Sequence, residues 1–187
     1  MNNIKDLHDA LFYSLSDQDL KDIIGDDVRI LTYEQLGEYN SLSELLPKEH
    51  DGIIILFERK EGEGHWLALL RGSKKNVLFF DSLAYRPDKQ LLWNSKATNK
   101  RLGQDTPHLT YLLNEGLKEG FKISFNETKF QDEQKGFTTC GRWVSMILLY
   151  YKHNKNPTLK GFYNKIMDLS KKYELAPDLA ITKFMLV

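Results

Sequence analysis

Cysteine occurs once in the 187 residues, at position 140. A single thiol excludes an internal disulfide framework and a cysteine-rich zinc site, and it fits a reducing compartment. Net charge is equally lacking: 26 basic side chains balance 26 acidic ones, and the pI is about 7.0. A chain that works on nucleic acid carries a surplus of Lys and Arg to neutralise phosphates, so nucleic acid is not an expected partner. No apolar run approaches the roughly 20 residues that cross a bilayer. The opening MNNIKDLHDALFYSL has charges inside its apolar pattern and does not read as a signal peptide, and neither end carries a lipidation motif. The expectation is a cytoplasmic protein without a membrane partner. Proline is scarce, with 5 in the chain; there is no internal repeat and no shift in composition. Residues 1–187 therefore read as a single domain, expected to be a monomer.

What is present is the composition of a globular protein, 41% hydrophobic and 12% aromatic. Ile4, Leu7, Leu11 and Phe12 recur at helical spacing. Ser16 with Asp19 resembles a capping box for a helix that Gly25 stops after Ile24. Val28 to Tyr33 reads as a strand. Ile53 to Phe57, His65 to Leu70 and Asn76 to Phe80 are three strands joined by short turns, an antiparallel meander. His108 to Leu117 is predicted helical. Phe121 to Phe125 and Thr128 to Gln131 are predicted strand, followed by a polar loop in which Thr138 and Thr139 cap the next helix. That helix, Cys140 to Tyr151, is apolar on nearly every side and so belongs in a core. Gly161 to Tyr173 and a short terminal helix capped by Asp178 complete an α+β fold, with helices gathered around an antiparallel sheet.

Cys140 at a helix start faces the positive end of the helix dipole and unpaired N–H groups, a position that lowers a thiol pKa. Gly141 beside it leaves room for a substrate backbone. A lone Cys is more often a small buried hydrophobe, so the reading as a nucleophile needs partners. The chain offers His8, His50, His65, His108 and His153. His65 opens one predicted strand and Asp81 ends the next. Their separation (81 minus 65, sixteen residues) fits two strands and a turn, which sets an imidazole beside a carboxylate that can hold its tautomer. For an oxyanion, the Cys140 N–H and a nearby Gln side chain are candidate donors, and both Gln131 and Gln134 lie close upstream.

His65-Trp66, Asp81-Ser82, a Gln, then Cys140-Gly141, in that order, resembles the adenain-type or ubiquitin-like-protein-specific cysteine proteases of clan CE. The string Thr138-Thr139-Cys140-Gly141-Arg142-Trp143 is similar to viral members. The resemblance covers roughly residues 50 to 152. Each dipeptide alone is weak; the four elements in order carry the match, and papain-type enzymes, which place Cys before His, have the opposite order. The resemblance implies a papain-like core of clan CE type, with the central helix carrying the Cys and the sheet carrying His and Asp. It implies Cys140 as nucleophile, His65 as general base and then general acid, Asp81 as its orienting carboxylate, and Trp66 as the aromatic flanking the scissile-bond channel. For the oxyanion Gln, the family's spacing of six residues before the Cys selects Gln134, whereas the predicted strand end selects Gln131, which is favoured. Residues 1–50 match no family segment and read as an N-terminal extension or a substrate-recognition surface.

The implied activity is a cysteine isopeptidase that removes ubiquitin or a ubiquitin-like modifier after its C-terminal Gly-Gly, with no metal and no cofactor. The alternative is a viral polyprotein or maturation protease with the same triad, acting in a host cell. A reading of another class is a catalytically silent binding domain of this fold.

Overall fold

The computed structural model describes residues 4–49 and 52–186, with the side chains of Ile4 and Lys5 left out; His50 lies outside the described residues. Helices α1 (Ile4–Phe12) and α2 (Asp17–Ile24) lead to strand β1 (Arg29–Thr32) and a short α3 (Leu42–Leu45). Strands β2 (Gly52–Lys60), β3 (Glu63–Arg71) and β4 (Asn76–Phe80) follow. After them come α4 (Lys96–Arg101), α5 (His108–Lys118), β5 (Lys122–Phe125), α6 (Cys140–His153), α7 (Leu159–Tyr173) and α8 (Pro177–Phe184).

The five strands form one sheet in the order β1-β2-β3-β4-β5. The central three are the expected antiparallel meander, with pairs such as Ile55↔Leu67 and Leu69↔Phe79. The two edge strands correct the expectation of an antiparallel sheet: β1 runs parallel to β2, and β5 parallel to β4. Parallel neighbours need a crossover of a dozen residues or more, and the helical segments between β1 and β2 and between β4 and β5 supply it. The strand expected over Thr128–Gln131 is an irregular loop instead, because the Phe130 and Gln131 N–H groups both donate to the Ser82 carbonyl at 2.8 and 3.0 Å rather than to a neighbouring strand.

The meander strands are buried on both faces, which explains their unbroken apolar runs. Ile54, Leu56, Trp66, Ala68, Leu70, Leu78 and Phe80 pack on one side against α2, α6 and α7. Ile53, Ile55, Phe57, Leu67, Leu69, Val77 and Phe79 pack on the other against α3 and α5. Each buried Val, Leu, Ile or Phe among them contributes about 1.5–3 kcal/mol. Helix α6 is buried from Cys140 through Leu148, as a helix apolar all round must be. The segment before residue 50 is part of this framework: it supplies β1 to the sheet, and Leu15, Leu20 and Ile24 to the core around α6. Ser16 and Asp19 form the full capping box at the start of α2, and Gly25 ends that helix at φ 116°.

Candidate active site

Strand periodicity places the histidine and its carboxylate. Positions 65, 67 and 69 of β3 share a face, and the last β3–β4 pair is Ala68↔Phe80. Continuing that register sets Asp81 opposite Leu67, one diagonal step from His65 on the same face. The two side chains meet there, with His65 Nε2 at 2.8 Å from Asp81 Oδ1. Gly64 makes this possible. A Cβ at position 64 would stand 1.9 Å from the Phe57 carbonyl oxygen, where β2 carries an irregularity between Glu58 and Lys60. Only glycine lets the strands close at that point, where His65 pairs with Phe57.

Asp81 is fully buried and saturated with donors. Its Oδ1 also accepts from the Leu83 N–H at 2.8 Å, and its Oδ2 from Gln90 Nε2 at 2.6 Å. Asn126 clamps its backbone from both sides, accepting from the Asp81 N–H at 3.0 Å and donating to the Asp81 carbonyl at 2.6 Å. The His65 ring stands edge-on to Trp93, with centroids 5.3 Å apart.

With Nε2 taken by Asp81, Nδ1 is the nitrogen left for Cys140, whose thiol interacts with the ring. Burial opposes charge on both groups. The neighbouring Asp81 and Cys140 outweigh burial at His65, and its pKa is raised. At Cys140 burial is outweighed by His65 and by the N–H groups of Trp66 and Gly141, and the thiol pKa is lowered. Both shifts favour a thiolate–imidazolium pair.

Cys140 is the first residue of α6. The expected cap is corrected here. Thr139 precedes the helix with φ −89° and ψ 1°, outside the extended region a capping residue adopts, and it makes no cap hydrogen bond. Its hydroxyl donates instead to Asp178 Oδ1 at 2.6 Å. The first N–H groups of α6 are thereby left without a side-chain cap, and that of Gly141 acts on the Cys140 thiol. Asp178 is corrected too: it lies inside α8, after Pro177, and does not cap it. It is 4% exposed and also accepts from Trp143 Nε1 at 2.8 Å and from the Asp132 N–H at 2.6 Å.

The two glutamines part company. Gln131 Oε1 accepts from Ser82 Oγ at 2.8 Å, and Nε2 donates to the Phe137 carbonyl at 2.6 Å. A carbonyl only accepts, so the amide orientation is determined, and the second Nε2 hydrogen remains free to donate. A cavity of about 430 Å³ is lined by His65, Cys140, Gln131, Trp93, Leu83 and Thr138 among others. Gln134 is exposed and does not line that cavity; it lines another of about 400 Å³, which Gln131 shares and which neither His65 nor Cys140 reaches. Trp66 is 4% exposed, and its Nε1 donates to the Leu15 carbonyl at 3.0 Å. It lines a neighbouring cavity of about 770 Å³. Gly141 faces the protein: a Cβ there would lie 2.9 Å from Leu15 Cβ and 3.2 Å from Trp66 Cδ1, so its bareness lets the N-terminal segment close onto α6.

Sequence reasoning passed over Gln90, Asn126, Trp93 and the segment between α1 and α2. None carries a local signal: Gln90 reaches Asp81 across nine positions of the chain, and Asn126 across 45. Among the described residues, no three His, Cys, Asp or Glu side chains gather as a metal would need, and no helix is long and apolar enough to cross a membrane.

The chain is 29% identical to "Uncharacterized protein V9" of the Sputnik virophage over 169 residues, 90% of this chain and 92% of that protein. No family model matches.

Proposed function

We propose that this chain is a cysteine-type peptidase of clan CE type, acting as an isopeptidase on ubiquitin or a ubiquitin-like modifier after its C-terminal Gly-Gly. The observation that carries the reading is convergence on one cavity: His65, held by Asp81 at 2.8 Å through Nε2, lines it together with Cys140, and each of the two favours the charged form of the other. The Cys140 thiolate attacks the scissile carbonyl carbon. The oxyanion that forms is met by the Cys140 N–H and the free Nε2 hydrogen of Gln131. The C–N bond breaks as the imidazolium passes its proton to the leaving amine, giving a thioester. His65 then takes a proton from water, hydroxide adds to the thioester, and the acid and the Cys140 thiol are released. Asp81 holds the ring and stabilises its charged form throughout.

The similarity to a virophage protein favours a second reading, a viral maturation protease with the same chemistry on a polypeptide substrate in an infected cell. Electrophile probes built on the C-termini of ubiquitin, SUMO and the neddylation modifier separate the two. An adduct on the wild type and none on Cys140→Ala supports the isopeptidase. Fast alkylation of Cys140 at neutral pH without any probe adduct supports the maturation protease. Slow alkylation throughout sinks both and leaves a silent binding domain.

A further inference from the structure

The end of α1 and the loop that follows it are tied to the surroundings of Cys140 through their backbone carbonyls. Leu11 accepts from the Thr138 N–H at 2.9 Å, Tyr13 from the buried Arg142 Nη1 at 3.1 Å, and Leu15 from Trp66 Nε1 at 3.0 Å. Ser14, between the last two, is exposed, and its N–H, carbonyl and hydroxyl have no partner among the described residues. Ser14 lines both the 430 Å³ cavity that holds Cys140 and the 770 Å³ cavity next to it. Gly64 and Arg59 are the other residues common to both, and the exposed Arg59 guanidinium also has no partner among the described residues.

We infer that the two cavities are one groove, threaded past Cys140 by an extended polypeptide whose backbone is held by the Ser14 N–H and carbonyl on one side and by the Arg59 guanidinium on the other. The inference rests on the peptidase reading and names how that site holds its substrate. Guanidinium offers five donors and no acceptor, so Arg59 serves substrate carbonyls. Ser14 supplies one donor and one acceptor in a strap whose flanking carbonyls are already occupied by the protein. Such a groove reads main chain rather than side chains, in the manner of strand addition. It suits a glycine-rich tail, which has little else to read.

The test compares two electrophiles on the full chain: iodoacetamide, which reads the thiolate alone, and a mixed-sequence pool of tetrapeptidyl acyloxymethyl ketones, which also needs the groove. Ser14→Pro removes the N–H, and Arg59→Ala removes the guanidinium. Each is expected to lower the ratio of peptidyl to iodoacetamide rate about tenfold, the worth of one or two hydrogen bonds, evenly across the pool. An unchanged ratio in Arg59→Ala, or an equal loss of both rates in both variants, overturns the groove. So does a wild type that takes iodoacetamide quickly and no peptidyl ketone, while leaving the activated thiol intact. Slow iodoacetamide labelling of the wild type fails the peptidase reading itself.

Discussion

Asp81 and Asp178 are both buried carboxylates, 0% and 4% exposed, and both belong to the surroundings of Cys140, yet their partners differ. Asp81 faces a titratable ring, and the consequence is charge: its proximity raises the His65 pKa against the opposing effect of burial. Among the described residues Asp178 bonds only neutral donors, the Thr139 hydroxyl, the Trp143 indole and the Asp132 N–H. Its consequence is position. One carboxylate ties Thr139 to Asp132, so the segments that carry Cys140 and Gln131 are held in a common frame. The same functional group tunes a proton in one place and joins two chain segments in the other, and the difference lies in whether the partner can change its charge.

The largest effect tests the premise of that contrast. Cys140→Ala is expected to abolish covalent capture and turnover, measured by intact-mass analysis after electrophile treatment. Asp81→Asn comes next: it leaves a carbonyl for one partner but removes the charge, and the rate is expected to fall by about 10²–10⁴-fold. Gln131→Ala is expected to cost about 10²-fold or more in kcat, as loss of one oxyanion donor does, whereas Gln134→Ala leaves kcat within a factor of two of wild type. Asp178→Asn turns an amide donor toward the donors already there, at a cost of about 2 kcal/mol or a Tm lower by roughly 4–8 °C. Calorimetry on both Asp→Asn variants breaks the comparison if Asp81→Asn proves the more damaging to stability.

The pH profile of alkylation sharpens it. The thiolate is lost as pH falls through the lowered Cys140 pKa, so the wild-type limb sits below that of a free thiol. Asp81→Asn is expected to move that limb upward, because a neutral partner no longer favours the imidazolium that holds the thiolate. Asp178→Asn is expected to leave it in place. A limb that moves equally in both variants removes the distinction.

Much of the site was legible because it is written in short-range periodicity. An apolar helix opening on Cys140 and a hairpin bringing residues 65 and 81 to one end are consequences of the 3.6- and 2-residue periods, which any stretch of chain expresses locally. The same holds for the Ser16–Asp19 box, which depends on neighbours three residues apart. The misreadings are of the opposite kind. Thr128–Gln131 has strand-like residues, but its N–H groups find the Ser82 carbonyl. Thr139 and Asp178 are good capping types that found each other across 39 positions instead.

By itself, then, the sequence determined the meander, the core helix, the absence of a disulfide framework, and the candidates His65, Asp81 and Cys140, since these follow from composition and local spacing. Tertiary structure decided the rest. It made the edge strands parallel and fixed the Gln131 amide between Ser82 and the Phe137 carbonyl. It brought Gln90 and Asn126 to Asp81, and laid the segment between α1 and α2 over α6. A buried polar group must find its partner wherever the chain happens to pass, and that place is settled only when the whole fold closes.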